Sequence, residues 1–171
     1  GEDENSSDEK AFCNKAAWRR FLIVIMGAAF NLIAGLIIVA IILAPGKMFT
    51  TTTIAEFDKN SVSSQKLEVD DTILAVDGRK IFTPYDLSYA FTNIDDGKID
   101  IKVLRDGEKV ELKDVAFKTD KQQDITYLMV DFKVYGEKKT FGNYVKNTVK
   151  TSISYCAVIW RSLIDLISGK Y

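Results

Sequence analysis

The side chains that ordinarily do chemistry are sparse in this sequence, and one type is missing outright. No histidine occurs among its 171 residues. Within these residues that excludes a serine or cysteine nucleophile worked by an imidazole base, and it excludes histidine as a zinc ligand. Cys13 and Cys156 are too few and too far apart for a disulfide framework or a CxxC metal site, and they read as two free thiols. Carboxylates gather at Glu2, Asp3, Glu4, Asp8 and Glu9, but without EF-hand spacing they read as a solvated acidic stretch. No catalytic residue and no metal ligand is therefore expected in this chain. A net charge of −1, with no Lys/Arg patch interleaved with aromatics, argues against a nucleic-acid partner.

The polar side chain in the least ordinary place is Asn31. It lies inside residues 21–44, an uncharged apolar run. As a helix this run is about 36 Å long, enough to cross a hydrocarbon core of about 30 Å. Gly27, Asn31 and Gly35 recur every fourth residue and so stack as a stripe of small and polar positions, while Ile, Leu and Val cover the remainder. Small residues at this spacing admit a second helix closely, and a membrane-embedded asparagine seeks a hydrogen-bond partner. Gly27 and Gly35 read as packing positions; Asn31 stays open between packing and a place near a site.

A signal peptide would have a basic start and a shorter apolar core, so the run reads as a true span. The chain opens on Gly1 rather than Met, and a piece of a longer protein or a processed product is expected. Lys15, Arg19 and Arg20 precede the run, with Trp18 placed as an interfacial anchor, and only Lys47 follows closely. That asymmetry predicts residues 1–20 as a cytoplasmic loop and everything after Ala44 as extracytoplasmic.

These residues need positioning elements, and the pattern supplies them. Pro45 and Gly46 end the helix, after which the period becomes alternating over residues 50–135. Residues 51–57 read as a strand, and residues 73–76 and 80–82 as a hairpin around Asp77-Gly78. Thr83, Pro84 and Asp86 supply a cap, a first-turn proline and a first-turn acid, predicting a helix over 84–93. Ile99, Ile101 and Val103 alternate into a turn at Asp106-Gly107, and Val110 and Leu112 return as the next strand. A last strand is predicted over 127–134, with Leu128, Val130, Phe132 and Val134 on one face. After a polar joint, apolar residues recur at three- and four-residue steps from Phe141 to Ile167. Residues 140–168 are thus an amphipathic helix. Arg161 and Asp165 would be costly at a bilayer centre, so the helix is expected along the membrane surface or against other helices, with Trp160 at the interface. A second span is the alternative. The fold class is α+β: one transmembrane helix (21–44), a β-rich domain with a capped helix, and a C-terminal amphipathic helix.

The order of strand, hairpin, capped helix and hairpin resembles a PDZ domain of the bacterial, circularly permuted kind. The resemblance rests on IAEFDKNSVSSQKLEVDDTILAVDGRKIFTPYDLSYAF (54–91) and IDIKVLRDGEKVEL (99–112). Val62 replaces that family's usual proline, and Asp70 replaces a glycine that permits positive φ. Aspartate tolerates that conformation better than most residues, so the turn is expected to survive. The resemblance implies a groove in which extended peptide adds beside Thr52, Thr53, Ile54 and Phe57, facing Leu87 and Phe91. Ordinary core is the other reading of Leu87 and Phe91.

The segments GEDE, AFCNK, WRRF and GAAFNLIAG, with a PDZ-like domain directly after them and a closing LISGK, together resemble the site-2 protease family. These are membrane-embedded zinc metalloproteases that include the bacterial regulator-of-sigma-E proteases. Ala28 departs from the family's Gly-Pro. Such proteases cut a substrate helix in the bilayer using zinc held by an HExxH helix and a later LDG aspartate; neither motif is present. The resemblance implies zinc in the intact protein, none bound by these residues, and no activity from these residues alone. It also implies a transmembrane protein substrate, peptide at the PDZ groove and the lipid bilayer as partners. The alternative is a stand-alone membrane-tethered PDZ adaptor that binds peptides without cutting them.

Overall fold

The computed structural model of the chain describes residues 15–92, 94, 96–122 and 125–169. The acidic opening and Cys13 lie outside these. Helix α1 spans Ala17–Leu43 and starts ahead of the uncharged run, because Trp18, Arg19 and Arg20 are already helical. The Arg19 guanidinium lies over the Trp18 ring at 5.3 Å. Among the described residues α1 is the one helix long and apolar enough to cross a membrane. Its side chains are almost all exposed; Val39 is the buried one.

The β-rich part follows at once. Strand β1 is Met48–Phe57, and a 3-10 turn at Ser63–Gln65 leads to β2 (Thr72–Val76) and the short β3 (Arg79–Lys80). Helix α2 is Pro84–Ala90, and β4 (Lys98–Arg105) and β5 (Glu108–Ala116) form the next hairpin. A ribbon of β6 (Lys118–Gln122) and β7 (Ile125–Met129) precedes β8 (Phe132–Lys138) and helix α3 (Phe141–Ile167). The main sheet runs β5-β4-β2-β1-β8, with β3 paired to β2 and the ribbon standing apart.

Local chemistry accounts for the turns. Asp77-Gly78 and Asp106-Gly107 take positive φ at both positions, 46° and 73° in the first and 50° and 84° in the second. That backbone matches the right-handed twist of the flanking strands. Asp70 holds φ 72°, so aspartate does take the conformation that glycine would otherwise supply. Inside, Ile54, Ile73, Ile101, Val103 and Val115 are closed to solvent. Phe117 lies 5.0 Å from Phe91 and 6.4 Å from Phe132, ring centre to ring centre.

The strand predicted over 127–134 is two strands, broken at Val130 and Asp131. The cause is the inward turn of the Asp131 carboxylate. It accepts hydrogen bonds from the Val62 and Ser63 amides at 2.7 and 3.1 Å, and from the Ser63 hydroxyl at 2.5 Å. The hairpin of β6 and β7 was not predicted; the Leu128 amide donates to the Phe91 carbonyl at 2.9 Å, which closes the far end of α2. That helix stops at Ala90, short of the predicted 93. Strands β1 and β8 each overrun residues 50–135, and most of the polar joint is strand.

A second carboxylate, Asp71, is wholly buried and held by Arg105 through Nε at 2.8 Å and Nη2 at 2.7 Å. The side-chain hydrogen bond to Asp71 raises the Arg105 pKa further, against burial. Such a pair is costly to break, because one partner is left as an uncompensated buried charge.

Burial pushes the Asp131 carboxyl up, but the bonds from Ser63 and Val62 together outweigh it and leave its pKa below the ordinary carboxylate value of 3.8. The folded form therefore gains stability that is complete above the unfolded pKa and is lost as pH falls through the lowered folded one. Asp131→Asn is expected to cost roughly 2–3 kcal/mol at neutral pH and to flatten the acid limb of the stability curve, as read by denaturant melts below pH 5.

Candidate functional site

Helix α2 turns one face to the core and the other outward. Asp86, Leu87 and Ala90 are buried, whereas Tyr85 and Ser88 lie on the outer side. The carboxylate of Asp86 closes the start of the helix, accepting from the Phe82 and Thr83 amides at 3.0 and 2.9 Å. The Thr83 amide is the N-cap donor of a capping box, and bonding it and the preceding Phe82 amide internally fixes the angle at which α2 leaves β3.

Helix α3 docks on this element through polar groups. The Ser154 hydroxyl donates to Asp86 Oδ2 at 2.8 Å and lies 2.7 Å from the Thr83 hydroxyl. Two turns on, Arg161 donates to the Lys80 carbonyl at 3.0 Å. Its Nη1 faces Asp86 Oδ1 at 3.7 Å, with neither atom hydrogen-bonded. Further along, Asp165 accepts from the Tyr89 hydroxyl at 2.8 Å and pairs with Arg79 at 3.3 Å. Tyr85 and Tyr155 meet edge to face at 5.4 Å. The buried residues of α3 are Thr148, Thr151, Ser154 and Asp165, all polar. Its large apolar side chains, among them Ile153, Trp160, Leu163 and Ile164, are exposed. The helix is amphipathic as predicted, and its polar side is the one that packs.

At its start α3 meets α1. The Tyr144 hydroxyl donates to the Ala40 carbonyl. The Lys139 ammonium donates to the carbonyls of Leu43, Ala44 and Gly46 at 2.6, 2.6 and 2.9 Å, so it caps the end of α1. An apolar crease between the two helices is lined by Ile33, Leu36, Ile37, Tyr144 and Val149. At roughly 100° per residue, Gly27, Asn31 and Gly35 point to the side of α1 opposite this crease. Nothing lies within 4 Å of a Cβ built on Gly27 or Gly35, and Asn31 is exposed.

Where α1, β1, α2 and α3 converge there is a cavity of about 360 Å³. Leu43, Met48, Phe49 and Thr50 form one wall. Opposite stand Thr83, Pro84, Tyr85 and Ser88, and Asn147 and Thr151 come from α3. Over residues 48–50 strand β1 pairs with β8, and toward β2 its register begins only at Thr53↔Thr72. Its α2-facing edge is thus open at the cavity.

The residues of the predicted groove, Thr52, Thr53, Ile54, Phe57, Leu87 and Phe91, are distributed as follows. Ile54 is inaccessible and bonded through its backbone to both Asp70 and Asp71, and Leu87 and Phe91 are core. Thr53 shares a hydroxyl contact of 2.8 Å with Thr72, and Phe57 packs edge-on against Phe132. The cavity lies about one turn earlier on the helix and a few residues earlier on the strand than these residues. The polar side by which α3 packs was missed, although the spacing of Thr148, Thr151, Ser154, Arg161 and Asp165 is a readable polar stripe.

No group of three or more metal-ligating side chains that could hold an ion occurs among the described residues, and the sequence has no histidine. The described residues do not fit a zinc site.

Removing Arg161 would leave Asp86 as an unpaired buried charge. Arg161→Leu is expected to cost roughly 3 kcal/mol, and Asp86→Asn in the same chain to recover most of it; a double-mutant cycle in urea checks the coupling.

Comparison with known proteins places the chain as follows. The profile of Peptidase family M50 matches residues 2–171. A Clostridium acetobutylicum protein named "Putative zinc metalloprotease" is 24% identical over 173 residues, an alignment covering 99% of this chain and 50% of that protein. The chain thus spans about half the length of the curated relative it matches.

Proposed function

The chain belongs to peptidase family M50, the site-2 protease family, and from that membership we propose that it is the substrate-screening and core-packing portion of an intramembrane zinc metalloprotease. The observation that carries the reading is the extent of the match, which takes in α1, the sheet domain and α3 together. In the intact protein zinc would supply a Lewis acid and an activated water at a scissile peptide bond, held by ligands outside these residues. What the residues here supply is placement.

Helix α1 crosses the membrane with Lys15, Arg19 and Arg20 on the cytoplasmic side, which puts the sheet domain outside. Its Gly27/Asn31/Gly35 side, turned away from α3, packs against the zinc-bearing helices, where Asn31 finds a hydrogen-bond partner instead of lipid. The sheet domain is a permuted PDZ module whose peptide site is the cavity between β1 and α2. Helix α3 lies between that module and the bilayer, and its exposed apolar side rests in the interfacial region. The substrate is a transmembrane protein cleaved in regulated intramembrane proteolysis.

The other reading is a stand-alone membrane-tethered PDZ adaptor that binds peptides without cutting them. The full-length protein, reconstituted with a membrane-spanning reporter, separates the two. Cleavage that is abolished by 1,10-phenanthroline and restored by zinc is expected; reporter binding without cleavage in the zinc-loaded protein would establish the adaptor. Asn31→Leu should lower turnover about tenfold, as for loss of roughly 1.4 kcal/mol of active-arrangement free energy, with an unchanged melting midpoint. Unchanged turnover would reduce the stripe to filler.

A further inference from the structure

The cavity between β1 and α2 has a fixed relation to the end of α1. Leu43, the last residue of α1, is part of its wall, and β1 begins only a short turn later. The carbonyls of that turn are gripped by Lys139, so the cavity cannot move far from the point where α1 leaves the bilayer. Anything bound there lies at the membrane surface.

Its chemistry is equally restrictive. Among the described residues no ionised side chain lines it; Thr50, Ser88, Asn147 and Thr151 offer hydroxyl and amide groups beside the apolar Met48 and Pro84. The Phe82 and Thr83 amides just ahead of α2 are spent on Asp86, whose buried carboxylate lies behind Thr83. An incoming carboxylate would meet that negative charge and find no cation in the wall. A charged side chain of either sign would lose its hydration without gaining a partner. The open edge of β1 at residues 48–50 offers main-chain groups to an extended chain. A volume of about 360 Å³ admits only a short stretch of small residues.

We infer that this cavity takes an extended, uncharged segment of a membrane-anchored polypeptide, within the first few residues beyond that polypeptide's own span. It thereby reads the juxtamembrane stretch of a chain rather than a free terminus. The inference rests on the reading of the sheet domain as the part that receives substrate.

The test uses the full-length protein in phosphatidylcholine vesicles, with benzoylphenylalanine in place of Tyr85 at the cavity rim. The probes are synthetic spanning peptides that continue into a short Ser/Thr/Val/Ala stub. Photocrosslinks are expected within the first few stub residues. They should fall about tenfold or more, the equivalent of 1.4 kcal/mol, when two adjacent stub residues become Asp or Lys, or when the stub is supplied as a soluble peptide with a free carboxylate. Ser88→Trp and Thr50→Trp fill the cavity from opposite walls, and whichever of them melts like the parent should abolish crosslinking. Equal crosslinking of charged or soluble stubs, crosslinks to lipid alone, or none at all would overturn the inference. Crosslinking needs no turnover, so it is run with chelator present. Crosslinks without cleavage in the zinc-loaded protein would fail the protease reading alone, and cleavage without crosslinks would fail only this one.

Discussion

The whole arrangement hangs on the Lys139 ammonium. A helix ends with carbonyls that no amide of its own can satisfy, and those carbonyls carry the negative end of the macrodipole. Lys139 answers both needs by donating to the carbonyls of Leu43, Ala44 and Gly46, while the rings of Phe49 and Tyr144 flank it at 5.5 and 5.1 Å. From the joint after β8 these contacts reach three places: the end of α1 with the turn that follows it, the start of β1 and the first turn of α3. One side chain therefore sets the exit of α1, the position of the sheet and the direction of α3.

The direction of α3 is informative on energetic grounds. Burying one large aliphatic side chain is worth about 1.5–3 kcal/mol, whereas a neutral hydrogen bond nets about 1 kcal/mol. In water alone, a helix bearing Ile153, Trp160, Leu163 and Ile164 would turn those residues inward. Here it buries Thr148, Thr151, Ser154 and Asp165 instead. That choice is stable only where the apolar side has its own apolar surroundings. The family to which the chain belongs is membrane-embedded, and on the proposed reading α3 meets the domain with its polar stripe and lipid with its apolar one.

Much of this was legible in the sequence, for reasons that can be named. Positive φ at Asp77-Gly78 and Asp106-Gly107 follows from turn chemistry, and Asp70 shows that a single tolerant residue keeps a turn where glycine is absent. The bounds of α3 match the apolar periodicity. What was illegible depends on long-range contacts. Nothing local announces that Asp131 will turn inward to residues far earlier in the chain and split a strand. Nor does the spacing of Leu87 and Phe91 say whether a helix face meets ligand or core; the hairpin of β6 and β7 decides that by covering Phe91. The cavity was missed because it belongs to four elements at once.

On the proposed reading, α3 between the sheet domain and a bilayer gives the protein a surface that meets what emerges from the membrane, and that reading depends on which side of α3 faces lipid. Nitroxide labels at Ile153→Cys and Leu163→Cys, in the full-length protein reconstituted into vesicles, measure this directly through relaxation by oxygen and by a water-soluble nickel chelate. Preferential relaxation by oxygen at both positions is the predicted result. Preferential relaxation by nickel at both would place the apolar side of α3 in water and contradict the account.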